Sequence, residues 1–130
     1  MKTISSLVLC VSAILFGMAG CAQAPVPVGL VDVTARPAER ALLSGMNAYD
    51  NGQYDEAEKQ LNLSLNSGLV SPKDMAAAQK YLAFIYCTSN RATECEAAFR
   101  AARKADPAFA LSRSEQGHPV WGPVYKRIQP

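Results

Sequence analysis

The chain has 130 residues, with 13 Lys and Arg against 11 Asp and Glu, and one His. That length supports a single domain with a modest core, and a charge so near balance argues against nucleic acid or a charge-steered substrate. The charge is uneven along the chain. Asp50, Asp55, Glu56 and Glu58 gather in one stretch, whereas Arg91, Arg100, Arg103, Lys104, Arg113, Lys126 and Arg127 follow Asn90. Two solvated helix faces account for both clusters.

The first element is a signal. Lys2 gives a positive start, and Ile4 to Met18 form an apolar run that ends in Ala19, Gly20 and Cys21. A membrane-spanning helix needs roughly 20 apolar residues, while a secretory core needs only about 7–15. Small residues suit a peptidase that must receive an extended backbone. Met18-Ala19-Gly20-Cys21 resembles a bacterial lipobox, which implies removal of residues 1–20 and lipid acylation at Cys21. Ala22 follows, where an Asp would be the familiar inner-membrane retention signal. The expected location is therefore the periplasmic face of the outer membrane, held by a lipid anchor.

Residues 21–37 read as a tether. Pro25, Pro27 and Pro37 exclude a continuous helix and favour extended conformations. Fully extended, such a segment reaches at most about 50–60 Å, enough to hold a domain off a membrane surface.

Residues 38–130 carry a helical pattern. Leu42, Leu43, Met46 and Tyr49 recur at near-helical spacing until Asn51-Gly52, where Gly52 suits a left-handed helix end. A second run sets Tyr54, Ala57, Leu61 and Leu65 on one face, with Asp55 and Lys59 spaced as a surface ion pair. Ser71-Pro72-Lys73-Asp74 predicts a capped start for a third helix, which ends near Thr88-Ser89-Asn90. The fourth begins at Ala92 and stops at Asp106-Pro107.

The two helical hairpins are repeats of one another. Gly45, Gly52, Tyr54, Ala57 and Leu61 correspond to Ala83, Asn90, Ala92, Cys95 and Phe99, each 38 residues on. This is the roughly 34-residue tetratricopeptide period with about four residues added in the connection. "NGQYDEAEKQL" and "KADPAF" resemble that repeat closely, although Asn90 and Ala92 replace its usual Gly and Tyr in the second copy. The expected fold class is all-α, with two tetratricopeptide-like hairpins and a short C-terminal capping helix. In the tail, Val120, Trp121, Val124, Tyr125 and Ile128 share a helical stripe, and Pro123 can start the last short helix. This segment reads as a cap over the open second repeat. The alternative makes Trp121 an exposed binding anchor.

Repeats of this type imply a protein-binding scaffold. The first helix of each hairpin would line the binding face, here through Leu42, Met46, Tyr49, Lys80 and Phe84, with Trp121 beside them. The mature chain also resembles the small tetratricopeptide lipoproteins associated with bacterial type VI secretion (TssQ-like). The residues that carry this are the lipobox at Cys21, "KYLAFIYC", Cys95, "DPAFALS" and above all "GHPVWGPV". The resemblance implies an accessory lipoprotein of a secretion apparatus whose partner is another envelope or apparatus protein. A pilotin-like assembly lipoprotein is the alternative, and a thiol-redox or other envelope enzyme a further one. The oligomeric state stays open.

No enzyme chemistry, cofactor or metal is expected. Cys10 falls in the signal and Cys21 carries lipid, which leaves Cys87 and Cys95 for an oxidising compartment, where a disulfide is the default. Ideal hairpin register opposes that bond, since Cys95 should face Ala83, a turn below Cys87, and a bridge needs Cα atoms within about 7 Å. Compartment is the stronger argument. His118 sits between Gly117 and Pro119 in a loop; with the two cysteines it would lack a fourth zinc ligand, and bridged cysteines supply no thiolate nucleophile. Asp55, Glu56 and Glu58 suit the positive end of a helix dipole without a catalytic role.

Overall fold

Four long helices form two hairpins: α1 (Pro37–Asp50) with α2 (Tyr54–Asn66), and α3 (Pro72–Thr88) with α4 (Ala92–Ala105). Two short helices follow, α5 (Arg113–Gln116) and α6 (Gly122–Arg127). The computed structural model describes residues 36–129, and among these the fold is all-α. The signal at 1–20, the lipid site at Cys21 and the tether up to Ala35 lie outside the described residues. Pro37, assigned to the tether, is instead the first residue of α1, where its missing N–H leaves no helical bond unmade.

Each helix boundary has a local cause. The Ser71 hydroxyl accepts from the Asp74 N–H at 3.2 Å, and Pro72 opens α3. Gly52 takes φ 73° after α1, and Asn90 takes φ 60° at the matching turn after α3. Asn is one of the few residues that visit this left-handed region, so the substitution for Gly preserves the turn. The hydrogen bonds repeat as well. Gln53 N–H donates to Ala48 O at 2.8 Å, and Arg91 N–H to Tyr86 O at 2.8 Å, the same bond 38 residues later. One turn has been built twice.

Small residues set how closely each hairpin closes. A Cβ built on Gly45 would lie 2.7 Å from Leu61 Cγ, so only glycine lets α1 approach α2 here. In the second repeat the same positions are Ala83 and Phe99, both fully buried. Ser64 is buried too, and its hydroxyl donates to Leu61 O at 2.7 Å, which satisfies it within its own helix. Cys87 and Cys95 form a disulfide with Cα atoms 5.1 Å apart. The register objection does not hold, because the tight turn at Asn90 brings the end of α3 down onto the first turn of α4.

Three finer expectations are corrected. Lys59 pairs with Glu56 at 3.8 Å, one turn away, and not with Asp55. Val120 does not join the buried stripe of the tail; it is 44% exposed. The helix α5 is additional to the expected set. Ser112 and Glu115 form a reciprocal capping box around it, the local signal being Ser-x-x-Glu at 112–115.

Candidate functional site

The tail folds back on α3 and α4. Trp121 stacks on Phe84 of α3 with ring centroids 4.2 Å apart, and His118 stacks on Trp121 at 3.3 Å. The Trp121 indole N–H donates to Glu115 O at 2.9 Å, so its one polar atom is satisfied as it is buried. Tyr125 packs edge-on against Phe99 of α4, and its hydroxyl accepts from Leu111 N–H at 3.2 Å. Arg103 near the end of α4 donates to Ile128 O at 2.9 Å. A Cβ on Gly122 would run into the Gln116 carbonyl oxygen, so the α5–α6 corner requires glycine. The string "GHPVWGPV" is thus spent on closing the fold.

This cap divides the residues expected to bind a partner. Leu42 is buried, Phe84 is 4% exposed and Trp121 is 9% exposed, so these three belong to the core of this form. Of the two readings of Trp121, the geometry matches the cap. Lys80 is held by Glu115, with Nζ donating to Oε1 at 2.7 Å, and lies over the rings of Tyr81 and Phe84. Burial pushes the Glu115 carboxyl up, but hydrogen bonds from Lys80 and Ser112 outweigh it and hold the group below its ordinary value. Met46 and Tyr49 stay partly accessible at the edge of the covered area.

Beyond that edge the rings continue. Tyr49, near the end of α1, makes edge contacts with Tyr54 at 5.5 Å and with Tyr81 of α3 at 5.0 Å. Tyr81 meets Phe84 at 6.2 Å, so the row runs unbroken from the core to Tyr54. Tyr54 opens α2 and is 48% exposed. Burial, followed by the nearby Tyr54, Tyr81, Asp50 and Glu115, raises the Tyr49 phenol to about 12, which keeps it protonated as a donor. Gly52, Gln53, Tyr54, Asp55 and Glu56 line an open cleft of about 470 Å³ at the outer end of the row. Tyr54 and Tyr81 were not among the residues expected to bind. Tyr54 had a signal, since it stands in the most repeat-like string, but its helical stripe assigned it to the core.

The charged residues elsewhere have structural work. Arg91 donates to both Glu58 carboxylate oxygens at 2.9 Å, donates to Glu94 at 3.2 Å and lies 4.1 Å from the Tyr86 ring centre. It ties the first hairpin to the turn of the second. Among the described residues no group of three or more His, Cys, Asp or Glu side chains could hold a metal ion. His118 Nδ1 accepts from Val120 N–H at 3.2 Å, and the two cysteines are joined to each other. No helix among the described residues is long and apolar enough to cross a membrane.

The fold and site together define a two-repeat helical hairpin domain, sealed by its tail and edged by tyrosines. Searches of protein-family models, of curated proteins and of solved structures each gave no match to this chain.

Proposed function

We propose that this chain is an outer-membrane-anchored periplasmic scaffold that docks another envelope protein, as an accessory lipoprotein of a type VI secretion apparatus. The observation that carries the docking role is the row Tyr49, Tyr54 and Tyr81 beside the cap, in which Tyr54 is exposed and Tyr49 and Tyr81 are half-buried. Aromatic side chains give large contact area for little lost freedom and dominate protein interfaces. The anchor and compartment rest on the lipobox reading of Cys21, and the disulfide accords with an oxidising compartment. The apparatus rests on the sequence resemblance.

Two experiments test the parts separately. Cys21→Ser should release the protein from membranes or leave it unprocessed; unchanged retention in washed membranes rejects the anchor. A photo-crosslinking residue placed at Tyr54 in cells should trap one discrete partner band. A crosslinker at exposed Val70, far along the α2–α3 connection, should not. Identical band patterns from both positions reject the docking face, and a trapped partner outside the secretion apparatus rejects that assignment.

A further inference from the structure

We propose that residues 26–35 of this chain, the stretch leading into α1, dock in the cleft between α1 and α2 and close the first hairpin. This goes beyond the partner-docking role above and does not depend on it.

The cleft is the first support. Pro37, Arg40, Ala41 and Ser44 of α1, with Gln60 and Leu63 of α2, line a volume of about 360 Å³ to which neither α3 nor the tail contributes a wall. Leu63 is 48% exposed there. Hairpins of a repeat array bury their apolar faces on neighbours, and the end units need a cap. The tail supplies one for the second hairpin. Among the described residues nothing fills this cleft of the first.

Position and composition identify the occupant. The chain enters α1 through Arg36, whose backbone is extended, and Pro37 is itself part of the cleft wall. The preceding residues therefore start at the rim. Six of them extended reach about 20 Å, whereas the distance along α1 from Pro37 to Ser44 is about 10 Å. Val26, Val28, Leu30, Val31 and Val33 make the stretch apolar, and Asp32 is its one charged residue. Spacers that stay in water are rich in Gly, Ser or charge, because such chains have little to gain from burial. This one has much to gain. The Arg40 guanidinium on the cleft wall has no ion pair among the described residues, which suits Asp32. A second copy of the chain offers the same side chains only at its own free concentration. A segment tied a few residues away is present at an effective concentration of roughly millimolar order.

Docking would also shorten the tether. On the lipobox reading only residues 21–25 stay free, at most about 18 Å in place of about 50–60 Å, so the first hairpin sits close to the membrane surface.

The test places a photo-crosslinking residue at Leu63 in the full chain, in membranes of the producing cell, and maps the linked peptides by mass. The expected product has the mass of one chain and joins position 63 to residues 26–35. Changing Val28, Leu30, Val31 and Val33 together to Ser should reduce its yield at least fivefold. These four residues precede all the helices, and far-UV circular dichroism checks that the fold is kept. The same crosslinker at exposed Thr93, at the start of α4, should not reach residues 26–35. A product of two chains gives the cleft to a second copy, and a product with another protein gives it to a partner; either overturns the proposal. Equal linkage of residues 26–35 from positions 63 and 93, or a yield unchanged by the four serines, overturns it as well.

Discussion

Replacing Trp121 separates a cap from a binding anchor. The side chain is 9% exposed, stacked between Phe84 and His118, and hydrogen-bonded to Glu115 O. A buried tryptophan removes about 150–250 Å² from water, and at about 25 cal/mol per Å² this corresponds to about 4–6 kcal/mol. Alanine retains part of that area, and the unfolded chain already buries some of it, so the loss for Trp121→Ala is about 3–4 kcal/mol. Trp121→Phe keeps a stacked ring but leaves the Glu115 carbonyl with the His118 N–H as its remaining donor, and should lose about 0.5–1.5 kcal/mol. Domains of this size have about 5–15 kcal/mol in total, so the alanine variant should melt about 15–25 °C lower. Urea unfolding followed by far-UV circular dichroism is the suitable assay, because Trp121 is the chain's one tryptophan and its fluorescence vanishes with the mutation. A loss under about 1 kcal/mol for Trp121→Ala, with an unchanged urea slope, would refute the cap and return Trp121 to the partner-binding surface.

Changing both Cys87 and Cys95 to Ser should lower stability by about 2–3 kcal/mol, the value for closing so short a loop; two free thiols in non-reducing mass mapping of the exported protein would contradict the bond. Gly45→Ala should lose about 1–3 kcal/mol by pressing on the fully buried Leu61, whereas Gly52→Ala meets no neighbour and loses about 1–2 kcal/mol through its positive φ alone. The Gly45 effect should be relieved in part by Leu61→Val and the Gly52 effect should not; urea unfolding of the double variants checks this. The depressed Glu115 carboxyl contributes stability that is fully present above its unfolded value near 4.5 and is lost as pH falls through its lower folded value. In Glu115→Gln that acid-dependent part should flatten, and an unchanged stability profile between pH 5 and 2 would show that the Lys80 link adds nothing.

The sequence by itself determined the helices and their repetition. Ser71 with Pro72, Gly52 and Asp106-Pro107 act on backbone within a turn of themselves, so they read correctly without knowledge of any neighbour. The 38-residue displacement also survives translation into structure, because equal small and large residues at Gly45 and Leu61, or Ala83 and Phe99, close equal hairpins. Tertiary structure decided which of the residues expected to bind stay accessible. Phe84 lies on the expected stripe, yet it is buried because a tail that shares no period with the repeats reaches back to stack Trp121 on it. The Lys80–Glu115 bond that locates this tail spans 35 residues, and the Arg91–Glu58 bond that joins the hairpins spans 33. The same holds for Lys59, whose choice of Glu56 over Asp55 depends on side-chain rotamers and not on spacing. Tyr54 looked like a core residue because periodicity assigns it a face of α2. It is exposed because no third hairpin packs there among the described residues, and only the assembled fold reveals which faces are left without a neighbour.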